Sequence, residues 1–225
     1  MDSNYGIKIW SDDNFIIENG LAKINYDCKP SLISIVKDVR KQDFKGPLLL
    51  RFPHITEKQI NTLYNTFNAS IREYDYKGSF NAVFPLKVNQ LPNFIHPLIN
   101  CGKIFNYGLE AGSKAELVIA MTYNNIGAPI TVNGFKDKEM IHLCVIGKNM
   151  GHNITIIIEG LNELEMIIEV LNETKLVCPN IGLRVRLHSG GSGMWAKSGG
   201  INSKFGLTST EILEAFELME DNNIV

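Results

Sequence analysis

Six short apolar runs recur along the chain, Leu48–Phe52, Val83–Val88, Ile104–Tyr107, Pro129–Val132, Ile154–Ile158 and Leu183–Leu187. Runs that are apolar throughout, with little polar alternation, predict strands buried on both faces, as in a parallel sheet. Between them lie amphipathic segments opened by residues that can cap a helix: Thr56 with Gln59, Ser113 with Glu116, Asn162 with Glu165 and, after the last run, Thr208 with Glu211. Strand and helix alternate at roughly 25 to 30 residues per unit, which predicts an α/β fold built from successive βαβ units and favours a TIM-like (β/α) barrel over an open sheet. A closed barrel of this type has eight strands. About six are present, so residues 47–225 are expected to form an incomplete (β/α)8 barrel. Residues 1–46 do not follow the repeat: a polar segment containing Trp10, a strand over Ala22-Lys23-Ile24 and a helix from Pro30 through Val39 form a separate N-terminal segment.

Composition narrows the function classes. Over 225 residues the net charge is -2 and the hydrophobic fraction is 44%, ordinary for a globular core and without the basic face that nucleic acid or an anionic membrane would need. No apolar stretch reaches the roughly 18 residues of a membrane span, and none near the amino terminus resembles a signal peptide; a cytoplasmic protein is expected. Cys28, Cys101, Cys144 and Cys178 are far apart and form no Cys-x-x-Cys pair, and the five histidines are scattered. Neither a zinc site nor a disulfide framework is expected.

In a (β/α) barrel the working residues stand at the carboxyl ends of strands and in the loops that follow. Those positions carry Lys87 and Asn89; Glu110, Gly112 and Ser113; Asn133-Gly134, Lys136 and Asp137; Glu159; and Arg186 with His188. Lys87 stands at the carboxyl end of the otherwise apolar run in the segment Phe80 to Gln90. An apolar wall disfavours the ammonium form and would free the amine to form a Schiff base with a carbonyl. Arg184 to Gly200 is a strand with two arginines followed by a glycine-rich loop. Gly191 to Ser198 nearly spells a phosphate-binding G-x-x-x-x-G-K-[ST] loop, but Ala196 replaces the second glycine and Gly199-Gly200 follows where a helix should start.

Four stretches in this order, Phe84-Pro85-Leu86-Lys87-Val88-Asn89-Gln90, Gly108 to Leu117, Asn133-Gly134-Phe135-Lys136-Asp137 and Arg184 to Leu207, resemble the biosynthetic arginine decarboxylases, pyridoxal-phosphate enzymes of the alanine-racemase-like barrel fold. Tyr5-Gly6-Ile7 with Trp10-Ser11 resembles that family's amino terminus. The resemblance implies pyridoxal 5'-phosphate held covalently by Lys87, Glu110 and Arg186 beside the cofactor, and decarboxylation of L-arginine to agmatine and carbon dioxide in polyamine (putrescine and spermidine) biosynthesis. It also implies a small-molecule substrate, a magnesium ion as an accessory cofactor, a homo-oligomer, and no nucleic-acid or membrane partner. Family members continue well past Val225 and join their amino-terminal residues to a β-domain. The resemblance therefore implies that this chain is an amino-terminal fragment, inactive when isolated. Two other readings remain: another decarboxylase or a racemase on the same barrel, and a nucleotide-binding α/β domain.

Overall fold

The computed structural model describes residues 6–187 and 206–224, and the chain divides into two compact units, Met1–Thr62 and Leu63–Val225. In the first unit a short helix α1 (Ile7–Trp10) precedes an antiparallel hairpin of β1 (Phe15–Glu18) and β2 (Leu21–Ile24), paired from Phe15↔Ile24 to Glu18↔Leu21. Asn19 and Gly20 close the hairpin, both at positive φ (54° and 74°), the conformation that lets a two-residue turn follow the strands' right-handed twist. Helix α2 (Leu32–Arg40) is capped by the Ser31 side chain, which accepts from Ser34 N. Helix α3 (Pro53–Glu73) contains the division between the two units.

The second unit is a five-stranded parallel sheet in the spatial order β3 (Val83–Pro85), β4 (Gly108–Ala111), β5 (Pro129–Val132), β6 (Asn153–Ile158) and β7 (Asn180–Leu183). Helices α4 (Pro92–Gly102), α5 (Lys114–Tyr123), α6 (Lys138–Asn149) and α7 (Leu161–Thr174) connect successive strands, and α8 (Ser209–Asp221) follows the last. Every crossover leads to the adjacent strand. That winding is the one a (β/α) barrel uses, whereas a doubly wound sheet reverses its strand order partway. The expected α/β fold and its barrel-type winding are therefore present, with five described strands.

Leu109, Ala111, Ile130, Val132, Ile154, Ile156 and Ile158 are each fully buried. In β6 burial alternates residue by residue. Full burial of both faces thus holds in β4, whose four residues are all buried, but not in β3, β5, β6 or β7. One face packs on the helices, and the other, carrying Thr131 and Ile157, lines a cavity.

The strand expectations need four corrections, the first being that β3 stops at Pro85 and not at Val88. Leu48–Phe52 has no ladder partner among the described residues and lies in no strand; it contains no β-branched residue, and Leu49 is 75% exposed. Ile104 to Tyr107 is a 3-10 turn over Lys103–Phe105 followed by Asn106 at φ 58°, and the strand begins only at Gly108. The last strand runs Asn180–Leu183, and Arg184 N extends its ladder by one bond to Ile158 O at 2.9 Å. Beyond it Val185 makes only an isolated bridge to Leu207.

Of the capping pairs, Ser113 and Thr208 cap their helices as expected, and Thr208 with Glu211 forms a complete capping box. Gly160, not Asn162, is the N-cap of α7. Helix α3 starts at Pro53, ahead of Thr56. Among the described residues no helix is long and apolar enough to cross a membrane.

Two measurements check this packing. A Cβ on Gly108 would lie 2.0 Å from the Pro129 carbonyl oxygen in the neighbouring strand, so Gly108→Ala should lower unfolding stability by about 3 kcal/mol or prevent folding; an unchanged denaturant midpoint would contradict the close β4–β5 approach. In the capping box, hydrogen bonds from the Thr208 backbone N–H and hydroxyl hold the Glu211 carboxyl below its usual value of 4.5. A lowered folded-state pKa means the contribution is complete above that usual value and is lost as pH falls through the lowered one. Thr208→Ala should therefore cost about 1 kcal/mol at neutral pH, with the gap from wild type narrowing in urea titrations run progressively below pH 4.5.

Candidate functional site

Because the five strands are parallel, their carboxyl ends share one edge of the sheet, and a cavity of about 670 Å³ opens there. Lys87, Glu110, Asn133, Glu159 and Arg184 bring side chains from β3, β4, β5, β6 and β7 or the residues just after them. Gly112 and Gly134 contribute backbone, and Thr131 and Ile157 form the floor.

Each polar group is held by the local fold. Lys87 sits in a turn closed by Val88 N donating to Pro85 O at 3.0 Å. The preceding Leu86 is completely buried, and its N–H continues the ladder to Glu110 O at 2.9 Å. Glu110 is 7% exposed, and Asn133 Nδ2 donates to its Oε1 at 3.2 Å. Asn133 is itself fixed by its N–H to Ala111 O at 2.9 Å. On the far side, Arg184 Nη1 donates to Glu159 Oε1 at 2.8 Å. Glu116, in the first turn of α5, accepts from Gly112 N at 2.7 Å and from Gln90 Nε2 at 2.9 Å, so one carboxylate ties the loop after β3 to the loop after β4.

Of the expected site residues, Lys87 and Glu110 meet in this cavity. The apolar wall expected around Lys87 is absent among the described residues: Lys87 is exposed, because the turn gives the buried position to Leu86. Arg186 is not part of the cavity lining. Its backbone N–H donates to Leu207 O at 2.7 Å and its Nε to Gly206 O at 3.1 Å. Arg184, two residues earlier, is the arginine on the cavity.

Several other rim residues turn out to be structural. Ser113 caps α5 and Asp137 caps α6, and hydrogen bonding with Lys114 holds the Asp137 carboxyl below its usual range. Asn89 Oδ1 accepts from Leu91 N at 3.0 Å. Lys136 is completely buried. His188 and the Gly191–Ser198 stretch lie outside the described residues. Glu116 and Arg184 were not among the expected site residues. Glu116 reads in sequence only as a helix-capping acid, and the second arginine of Arg184-Val185-Arg186 stands at the expected end of a strand that in fact stops earlier.

No cysteine is among the described residues that line the cavity. Burial pushes the Cys144 thiol up to about 12, only partly offset by the nearby Lys136 charge, and pushes Cys178 up to about 11. Among the described residues no group of three or more histidines, cysteines or carboxylates could hold a metal ion.

An amine, two carboxylates, a carboxamide and a guanidinium converging on one cavity fit an aldehyde cofactor with a polar aromatic ring, and a volume near 670 Å³ falls within the range of roughly 300–1,000 Å³ usual for cofactor sites. Comparison with known proteins agrees. Over 194 residues the chain is 41% identical to the biosynthetic arginine decarboxylase of Bacteroides thetaiotaomicron, covering 86% of this chain and 31% of that protein. Over 229 residues it is 36% identical to that of Prochlorococcus marinus, covering 99% of this chain and 35% of the relative. The chain thus spans about a third of the length of these curated relatives. The crystal structure of the biosynthetic arginine decarboxylase from Campylobacter jejuni superimposes with a TM-score of 0.89 at 57% identity, over 98% of this chain and 35% of that one. The diaminopimelate decarboxylase of M. jannaschi shares the fold at a TM-score of 0.68 and 21% identity, over 93% of this chain and 45% of the other. Residues 57–224 match the family model described as the pyridoxal binding domain of pyridoxal-dependent decarboxylases, and the chain belongs to that family.

Proposed function

We propose that this chain carries the cofactor-binding part of a biosynthetic arginine decarboxylase, with Lys87 as the residue that binds pyridoxal 5'-phosphate covalently. The observation that carries the reading is the meeting of Lys87 with Glu110, Asn133, Glu159 and Arg184 around one cavity at the carboxyl edge of a barrel-type sheet. Bound there, pyridoxal phosphate would supply an electron sink for the pair left when a carboxylate departs as carbon dioxide. The protein's own groups then have distinct tasks. Lys87 would hold the cofactor through its Nζ, the one amine among the described residues on the cavity able to act as a nucleophile toward an aldehyde, and the same nitrogen could take up and give back a proton. Glu110, oriented by Asn133, would offer the bound cofactor a fixed carboxylate. Arg184, oriented by Glu159, presents a guanidinium, and we assign to it the cofactor-side arginine role that the sequence resemblance implied for Arg186.

Arginine as the substrate, agmatine as the product and a place in polyamine biosynthesis rest on the names of the relatives at 36–41% identity and of the structural neighbour at 57%. A cytoplasmic location, a homo-oligomeric assembly and a magnesium requirement belong to the same proposal and rest on the resemblance; no described residue is assigned to the metal.

Mixing the purified chain with pyridoxal phosphate should produce a visible absorption band, and borohydride should make the adduct permanent on the peptide containing Lys87. Lys87→Ala should abolish both signals, and labelling spread over other lysines with none on Lys87 would overturn the assignment. For the substrate, carbon dioxide release by the full-length gene product should favour arginine over ornithine, lysine and diaminopimelate. Preference for any of the other three would overturn that part of the reading.

A further inference from the structure

Among the described residues, the largest side chain withdrawn completely from solvent is a charged one, Lys136. Its ammonium is satisfied on two sides. Nζ donates to the Gly134 carbonyl two residues back, and to Glu163 Oε1 at 3.1 Å. Glu163 is 5% exposed, and its second oxygen, Oε2, accepts the backbone N–H of Glu159 at 2.9 Å. One buried ion pair therefore joins the loop after β5 to the loop after β6. Both loops feed the cavity: Asn133 and Gly134 come from the first, and Glu159 from the second.

Stability alone does not account for such a pair. Two charges taken out of water recover at best about what they lose, and a well-packed apolar pair of similar volume often does as well or better. What the pair adds is direction, because its bonds specify where two backbone segments lie relative to each other, in a way that methyl contacts do not.

We propose that Lys136 and Glu163 are positioning residues for the cofactor site. They set Asn133, and through its hydrogen bond Glu110, at one side of the cavity, and Glu159, and through its ion pair Arg184, at the other. Neither residue lines the cavity, so each acts through the loops it holds. The inference rests on the cavity being the pyridoxal-phosphate site, and it adds the means by which the two halves of that site keep their spacing.

The test compares the wild-type chain with Lys136→Met, with the double variant Lys136→Met/Glu163→Leu, and with Glu163→Gln. Removing the lysine alone leaves a buried carboxylate without its cation and should lower the melting temperature by about 10 °C. The double variant removes both charges together, leaves only the Gly134 carbonyl and the Glu159 N–H without these partners, and should melt clearly above Lys136→Met. Its dissociation constant for pyridoxal phosphate, read from the absorption band and from borohydride capture at Lys87, should nevertheless rise about tenfold or more, as expected when site groups shift by a fraction of an ångström to an ångström. Hydrogen–deuterium exchange, which needs no cofactor, should accelerate in peptides covering 133–137 and 159–163 and stay unchanged in 153–158.

A double variant that binds pyridoxal phosphate as wild type does, with both loops equally protected, would reduce the pair to a packing element and overturn the proposal. If the double variant does not fold, Glu163→Gln decides: it keeps the shape and one acceptor but not the charge, and undiminished cofactor affinity would overturn the proposal equally. A wild-type chain that captures no cofactor at Lys87 would instead defeat the cofactor reading itself, and the inference with it.

Discussion

Parallel pairing between neighbouring strands is the constraint from which the rest of the second unit follows. When β3 through β7 run in one direction, in sequence order and in register, each strand delivers its last residues to the same edge. Residues separated by more than twenty positions then become neighbours: Glu110 meets Asn133, and Glu159 meets Arg184. The connecting helices bury Leu109, Ile130, Ile154 and Ile156 beneath them, which supplies the apolar stabilisation that polar side chains at the edge do not. The edge is thereby left to chemistry, the division of labour seen generally in barrels of this type.

Holding the loops at that edge takes a second device, used twice. After β4, the Glu116 carboxylate in the first turn of α5 accepts the N–H of Gly112 at 2.7 Å; after β6, the Glu163 carboxylate in the first turn of α7 accepts the N–H of Glu159 at 2.9 Å. In each case an acid near a helix amino terminus, where the helix dipole favours negative charge, reaches four residues back to the first backbone group past the strand. Each acid also has a second partner that crosses to another loop, Gln90 for Glu116 and Lys136 for Glu163. The βα loops are therefore cross-linked sideways as well as along the chain. A site whose groups come from five different strands needs such ties, since each βα connection by itself orders only its own strand and helix.

The sequence signals divide along the same physical line. Long-range organisation was legible because it is written in repeated apolar runs and in capping residues: Pro129–Val132 and Ile154–Ile158 coincide with β5 and β6, and Thr208 with Glu211 is a capping box as read. Strand ends were not legible at Ile104–Tyr107, where a left-handed Asn106 breaks the run before Gly108, or at Leu183–Leu187, where pairing stops near Arg184. An error of a residue or two at a strand end exchanges the residue that faces the cavity for one that does not. Arg186 was expected at the strand's carboxyl end, whereas it is Arg184 that lines the cavity. Helices α4 and α6 were missed for a related reason. Pro92 opens the first and Pro97 lies inside it, and the residues that precede the second, Lys136 and Asp137, look in sequence like a charged rim, although one is completely buried and the other caps the helix.

The placement of Lys87 resolves a tension in the sequence reading. An apolar run ending in lysine suggested an amine buried against hydrophobic neighbours, yet the buried residue is Leu86, and Lys87 stands in the turn that follows. The two requirements are separable. The backbone at this point is fixed by the buried Leu86 side chain and by the ladder bond from its N–H to Glu110 O at 2.9 Å, so the position of the Lys87 Cα follows from the sheet. The flexible stem then carries the amine into the cavity. The covalent role proposed for Lys87 asks for a fixed origin and a side chain free to swing, and a turn anchored by its buried neighbour supplies both. Exclusion of water from the amine need not come from the strand that bears it; on this arrangement it falls to whatever fills the cavity in front of Thr131 and Ile157.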